Sequence, residues 1–89
     1  MTLQEFIASN DSRGFAQRCL EKMQDANKLM STSLDNGSSE EFRECLRRVD
    51  SCYYQLFGFI QAAYAFNRIS SEDSDLLADE LMDLSVFKK

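Results

Sequence analysis

Histidine, proline and tryptophan are all absent from this chain of 89 residues. Without histidine, the commonest general base and the commonest metal ligand are both missing. The only glycines, Gly14, Gly37 and Gly58, are too scattered to form a phosphate-binding loop. A β-domain of this length would need many tight turns, which draw heavily on glycine and proline. The composition therefore favours helices, and we expect no catalytic activity, no cofactor and no bound metal.

The cysteines, Cys19, Cys45 and Cys52, are odd in number and form no CxxC pair. In a helix, Cys45 and Cys52 lie about 10 Å apart along the axis, which is too far for a disulfide. Each cysteine falls on an apolar helical stripe, which argues against a nucleophilic role. Since no apolar leader opens the sequence, we expect a cytoplasmic protein with buried, reduced thiols.

The net charge of −5 is unevenly distributed, because residues 70–87 contain six acidic residues and no basic one. Binding to nucleic acid or to anionic membranes requires clustered Lys and Arg. The one group of arginines is interleaved with acids at spacings that predict salt bridges on a helix. This group comprises Arg43, Arg47 and Arg48 with Glu40, Glu41 and Glu44. The predicted pairs are Glu40 with Arg43, and Glu44 with both Arg47 and Arg48. We therefore expect direct contact with neither nucleic acid nor membrane.

Local capping signals divide the chain into four helices. Three of these signals are pairs of a hydroxyl residue and an acid three positions later: Thr2 with Glu5, Ser38 with Glu41, and Ser70 with Asp73. Residues 10–12 supply a further start, and residues 32–37 read as a loop. The predicted helices are 3–9, 12–32, 39–68 and 71–87, in a single domain spanning 1–89. The predicted class is all-α, with a short N-terminal helix followed by a three-helix up-down bundle and a long central third helix.

Apolar residues recur at alternating steps of three and four in the second and third helices. The second-helix stripe contains Ala16, Cys19, Met23, Ala26 and Met30, widened by Phe15, Leu20 and Leu29. The third-helix stripe contains Phe42, Cys45, Val49, Cys52, Leu56, Phe59, Ala63 and Phe66. This spacing predicts helices that pack nearly antiparallel at a shallow crossing angle.

The segment from 52 to 66 is apolar on nearly all sides and rich in aromatic residues. It is shorter than the roughly 20 residues that span a bilayer. A helix of this kind has to be covered on several sides. Either it is simply the central helix of the bundle, or part of it contacts another molecule. The candidates for self-association are Tyr53, Tyr54, Phe57 and Tyr64.

The last helix combines a core face with an unusual outer face. Its core face contains Ser74, Leu77, Ala78, Leu81 and Leu84. Its opposite face contains Glu72, Asp75, Asp79 and Asp83, flanked by Asp73 and Glu80. Among or beside these acids lie four large apolar residues, Leu76, Met82, Val86 and Phe87. Solubility alone does not require such a mixture.

Acids three or four positions apart lie about 5–6 Å apart along a helix, within reach of the phosphate spacing in a nucleic acid. A cationic groove on another protein could therefore accept this helix in place of nucleic acid. The predicted partner-binding residues are Glu72, Asp75, Leu76, Asp79, Glu80, Met82, Asp83, Val86 and Phe87. The alternative is that the acids only face water while Val86 and Phe87 fold back onto the core. A calcium site is not expected, because no EF-hand-like loop is present.

In size, acidity, helicity and lack of catalytic groups, the chain is similar to small inhibitors carried by phages and mobile elements. Anti-CRISPR proteins that occupy the nucleic-acid channel of a nuclease belong to that group. The likeness is one of general character and implies a non-enzymatic inhibitor or regulator that binds a basic protein surface. The second hypothesis is a structural or adaptor module that forms a homodimer through its aromatic third helix.

Overall fold

The computed structural model describes residues 1–11, 13–37 and 39–86, and every regular element within those ranges is an α-helix. The helices are α1 (Leu3–Asn10), α2 (Phe15–Asp35), α3 (Ser39–Ala65) and α4 (Ser71–Ser85). The predicted all-α class, with a short first helix and a long third one, is therefore confirmed. Within the same ranges, no helix is long and apolar enough to cross a membrane.

Two of the predicted helix starts are formed by their local capping residues. The Thr2 hydroxyl accepts the N–H of Glu5 at 3.1 Å, and the Glu5 carboxylate accepts the N–H of Thr2 at 2.9 Å. These hydrogen bonds to Thr2 lower the pKa of Glu5. The Ser70 hydroxyl accepts the N–H of Asp73 at 3.0 Å. The remaining pair depends on Ser38, which lies outside the described residues.

The second helix begins at Phe15, three residues later than predicted. Its N-cap position is Gly14, which adopts a left-handed conformation with φ of 73° and has no side chain to cap the helix. The Asp11 carboxylate takes that role and accepts the N–H of Gln17 at 3.0 Å. Burial raises the pKa of Asp11. Hydrogen bonds from the backbone N–H groups of Phe15, Ala16 and Gln17 together lower it by more, so the net shift of the pKa is downward.

The C-terminal ends of α2, α3 and α4 also differ from the prediction by two or three residues, whereas α1 ends only one residue later than predicted. α2 continues to Asp35, and α4 ends at Ser85, where Val86 turns to an extended conformation. α3 stops at Ala65 because Asn67 adopts a left-handed conformation with φ of 60°. The N–H groups of Asn67 and Arg68 then bind the carbonyls of Tyr64 and Ala63 at 3.0 and 2.9 Å. This pattern is a Schellman motif with asparagine in the position usually taken by glycine.

One cluster of buried side chains joins all four helices and Ile69. The predicted α2 stripe is buried along its whole length, together with Leu20, whereas Phe15 and Leu29 remain exposed. In α3, the predicted stripe is correct from Cys45 to Leu56. Beyond that point the predicted Ala63 is buried, as is Ile60, which the stripe left out. Phe59 is only half-buried, and Phe66, which follows the end of the helix, is exposed.

Side-chain hydrogen bonds show how the helices are arranged. The Cys19 thiol donates to Gln55 Oε1 at 3.1 Å, and the Ser33 hydroxyl donates to Glu41 Oε2 at 3.5 Å. Residue numbers thus rise along α2 as they fall along α3, so these two helices run antiparallel. The up-down order of the complete bundle stays a prediction.

Candidate protein-binding surface

The three cysteines offer no exposed nucleophile. All are free and buried. Burial raises the pKa of the Cys19 thiol, and the neighbouring Cys52 raises it further. Because the thiolate is the reactive form, this environment disfavours reaction at Cys19. Residues 1–11, 13–37 and 39–86 also contain no group of three or more Cys, Asp or Glu side chains placed to hold a metal ion.

The acidic face of α4 consists of Glu72, Asp75, Asp79 and Asp83, all of which are exposed. Their three- and four-residue spacing places them on the side opposite the buried Ser74, Leu77 and Leu81. Within the described part of the chain, Glu72, Asp75 and Asp79 have no salt-bridge partner. At these three positions the face presents unpaired negative charge to its surroundings.

Large apolar side chains interrupt this acidic face, as predicted. The exposed fractions of Leu76, Met82 and Val86 are 55%, 56% and 53%. Val86 is thus not part of the buried core, although it lies beside Asn27 and Ser31 of α2. Phe87, the remaining predicted member, lies outside the described residues. Whether these side chains bind a partner stays a prediction.

Glu80 differs from the other predicted partner-binding residues because it is used within the fold. It is half-buried, and its carboxylate oxygens accept the N–H of Leu3 at 3.0 and 3.2 Å. Leu3 begins α1, and its N–H is one of the donors that a helix start leaves without an intrahelical partner. Spacing within one helix gives no sign of such a contact, because the two residues are 77 positions apart.

A side chain of α2 forms a hydrogen bond with the last turn of α4. Asn27 Nδ2 donates to the carbonyl of Leu84 at 3.1 Å, which satisfies one acceptor at the end of α4. Asn27 Oδ1 is buried and has no hydrogen-bond partner among the described residues. Together with the Glu80–Leu3 contact, this bond shows that α4 contacts both α1 and α2.

Three of the four predicted self-association residues form an aromatic cluster on α3. The rings of Tyr53 and Tyr54 meet edge to face at 5.4 Å, and those of Tyr53 and Phe57 stack at 6.1 Å. Tyr54 is 70% exposed, whereas Tyr53 and Phe57 are half-buried against the core. Tyr64 is exposed as well, but it lies about two helical turns beyond Phe57 and outside these ring contacts.

A groove of about 620 Å³ lies between α2 and α3. The apolar stripes in the sequence did not predict it. Its lining comprises Lys22, Asp25, Ala26, Leu29, Arg48, Ser51, Cys52 and Gln55. Charges of both signs occur in it, so it has no clear preference for a charged ligand.

Two arginines of α3 form ion pairs with a glutamate on the same helix. Glu44 pairs with Arg47 at 3.3 Å and with Arg48 at 3.9 Å, which confirms two of the predicted ion pairs. The predicted pair of Glu40 with Arg43 is not among the ion pairs of the described residues. Such exposed pairs contribute only about 0–1 kcal/mol each, so their main effect is to neutralise this face.

No protein family model matches the chain, and neither a curated protein nor a solved structure matches it. The class defined by the fold is an all-α helical bundle. Within that class, the features available for a functional argument are the acidic face of α4 and the aromatic cluster of α3.

Proposed function

We propose that this chain is a non-enzymatic protein-binding protein whose α4 docks on a basic surface of a partner protein. The observation that carries the proposal is the combination of three unpaired acids on α4 with exposed Leu76 and Met82 on the same helix and exposed Val86 directly after it. Acids alone would keep the helix soluble. Exposed apolar side chains of this size gain about 25 cal/mol for each Å² removed from water, which favours their burial against another molecule.

The two kinds of side chain have different roles in the proposed interaction. Unpaired carboxylates attract a cationic surface over a distance and raise the rate of encounter. The apolar side chains then contribute to affinity once water is excluded from the contact. The spacing of the acids fits a surface that otherwise binds nucleic-acid phosphates, and the proposed partner is a nucleic-acid-handling protein. In this proposal the chain acts in the cytoplasm as an inhibitor or regulator, similar in general character to those of phages and mobile elements, such as anti-CRISPR proteins.

The test is an affinity capture from a bacterial lysate with wild-type protein and two charge-reversal variants. The first variant carries Asp75→Lys and Asp79→Lys on α4. The second carries Asp25→Lys and Asp35→Lys on α2, so the change in net charge is the same but the site is different. We expect a partner that wild type and the α2 variant capture and the α4 variant does not. A partner captured equally by the α4 variant would contradict the proposed site.

A homodimer through α3 is the second candidate function, and the exposed ring of Tyr54 beside Tyr53 and Phe57 favours it. In such an adaptor, the aromatic cluster would be covered by a second copy. Two copies with a net charge of −5 repel each other, so this association should strengthen with added salt. Light scattering over a range of concentrations and salt tests it, and a monomer throughout would remove it.

A further inference from the structure

Charged side chains and a tyrosine form an exposed row along the side of α3 that faces away from the core. Arg43, Arg47, Asp50 and Tyr54 follow one another at steps of four, three and four residues, which places them on one face of the helix. All four are exposed, and the exposed fraction of Tyr54 is 70%. We call these four residues the α3 outer row. It is open to contact with another molecule.

The charges of the outer row are largely unused within the chain. Among the described residues, Arg43 and Asp50 have no salt-bridge partner. Arg47 pairs with Glu44 on its own helix at 3.3 Å, but both side chains are more than half exposed. Such a pair is weak, and the five N–H donors of a guanidinium allow it to bind a second carboxylate. The row can therefore bind opposite charges on another molecule.

The order of residues in the outer row defines the helix that would complement it. From the N-terminal end of α3, the row presents two bases, then an acid and then an aromatic ring. A complementary helix would place an aromatic ring opposite the first base, an acid opposite the second base and a base opposite the acid. The outer row of a second copy has this order when it runs in the opposite direction. The spacing agrees as well, because steps of four, three and four are the same in both directions.

We infer that two copies of the chain associate through antiparallel α3 helices, with Arg47 of each copy facing Asp50 of the other and Arg43 facing Tyr54. This inference rests on the homodimer that is the second candidate function, and it specifies the direction and register of the two helices. A two-fold axis between Arg47 and Asp50 generates both ion pairs, because contacts are reciprocal in a symmetric dimer. Parallel helices are disfavoured, because each arginine would face the same arginine of the other copy. An antiparallel pair centred on Tyr54 would place Asp50 opposite Gly58 and form neither ion pair.

The aromatic cluster borders the same contact. The exposed Leu46 lies on the side of the outer row that also holds Tyr53 and Phe57. The two-fold axis brings this side of both helices together, and Leu46 of one copy then lies within one helical turn of Tyr53 of the other. The segments from 40 to 57 overlap over about 27 Å, or five helical turns. The ion pairs thus set the direction of the helices, while these apolar side chains add area that is removed from water.

The test compares dimer dissociation constants by sedimentation equilibrium at one salt concentration. The proteins are wild type, Asp50→Arg, Arg47→Asp, the double variant with both substitutions, and Asp25→Arg. Asp25 is the matched control, because it is exposed and lines the groove between α2 and α3, whose α3 residues are not those of the outer row. The double variant keeps the net charge of wild type and exchanges the two partners of the proposed ion pair. Circular dichroism checks that each variant is folded.

We expect Asp50→Arg and Arg47→Asp each to weaken the dimer about tenfold, because each substitution brings like charges together at both symmetric contacts. The double variant should associate within about threefold of wild type, since opposite charges again face each other. Asp50→Arg is the most informative variant, because it reduces the net negative charge of the chain. General repulsion between copies would therefore make its dimer stronger, as we expect for Asp25→Arg.

The outcomes separate this inference from the homodimer itself. A wild-type monomer at all concentrations would remove the homodimer and this inference with it. A dimer that Asp50→Arg leaves unchanged or strengthens would keep the homodimer but overturn the antiparallel register. A double variant that associates no better than the single variants would overturn it as well. The proposed binding of a basic partner by α4 is tested by the lysate capture and does not depend on these results.

Discussion

The carboxylate of Glu80 in α4 binds the N–H of Leu3, the first residue of α1, at 3.0 and 3.2 Å. A capping interaction that is usually made by a near neighbour in sequence is made here by a residue 77 positions away. The side chain therefore joins two helices as well as satisfying a helix start.

Replacing Glu80 with alanine should lower the free energy of unfolding by about 1–2 kcal/mol, because the Leu3 N–H would lose a charged acceptor in a half-buried setting. Urea denaturation measures the change. Asp79→Ala is the matched control, since Asp79 is exposed and should change the free energy by no more than about 0.5 kcal/mol. Equal effects of the two substitutions would show that the Glu80–Leu3 contact is not stabilising.

The lowered pKa of Asp11 predicts a pH-dependent contribution to stability. The carboxylate caps α2 through backbone N–H groups, so Asp11→Asn should cost about 0.5–1 kcal/mol near neutral pH. A carboxyl whose pKa is depressed on folding stabilises the fold above its unfolded pKa, and this contribution is lost as the pH falls through its folded pKa. The difference between wild type and Asp11→Asn should therefore shrink as the pH falls below the ordinary pKa of an aspartate, about 3.9. Urea denaturation across this pH range would contradict the assignment if the difference stayed constant.

Asn67 offers a test of the end of α3. Its φ of 60° is accessible to glycine without strain, whereas a residue with a Cβ usually pays about 1–2 kcal/mol there. Asparagine tolerates this conformation better than most residues, so Asn67→Gly should raise the melting temperature slightly. Asn67→Ala should lower it. The opposite order in thermal denaturation would argue against the Schellman motif.

The acids proposed to bind the partner should not be required for the fold. Asp75 and Asp79 are four residues apart on one helix, where like charges repel each other by a few tenths of a kcal/mol. Replacing both with asparagine should therefore leave the free energy of unfolding unchanged or raise it by about 0.5 kcal/mol. A loss of stability in urea denaturation would indicate that these carboxylates have structural partners.

The parts of the fold that could be predicted are those set by neighbours in sequence. Thr2 with Glu5 and Ser70 with Asp73 are three residues apart, so their capping contacts follow from helical geometry. The exposure of Met82 beside the acids follows from the same periodicity. The partial burial of Phe59 does not, because it reflects the Phe6 ring of another helix.

The acidic helix and the aromatic helix were each visible from their composition. The contacts of Glu80, Leu84 and Gln55 with other helices could not be predicted, because they are set by tertiary packing. The groove between α2 and α3 has the same origin.

The contact between Glu80 and Leu3 also has a consequence for the order of events during folding. With 8 residues, α1 is shorter than the roughly 12–15 residues that form a stable helix alone in water. It depends on α3 for the ring that meets Phe6 and on α4 for the acceptor of Leu3. Although α1 precedes the other three helices in this sequence, it is therefore expected to become ordered after them, once the chain has been made at least as far as Glu80.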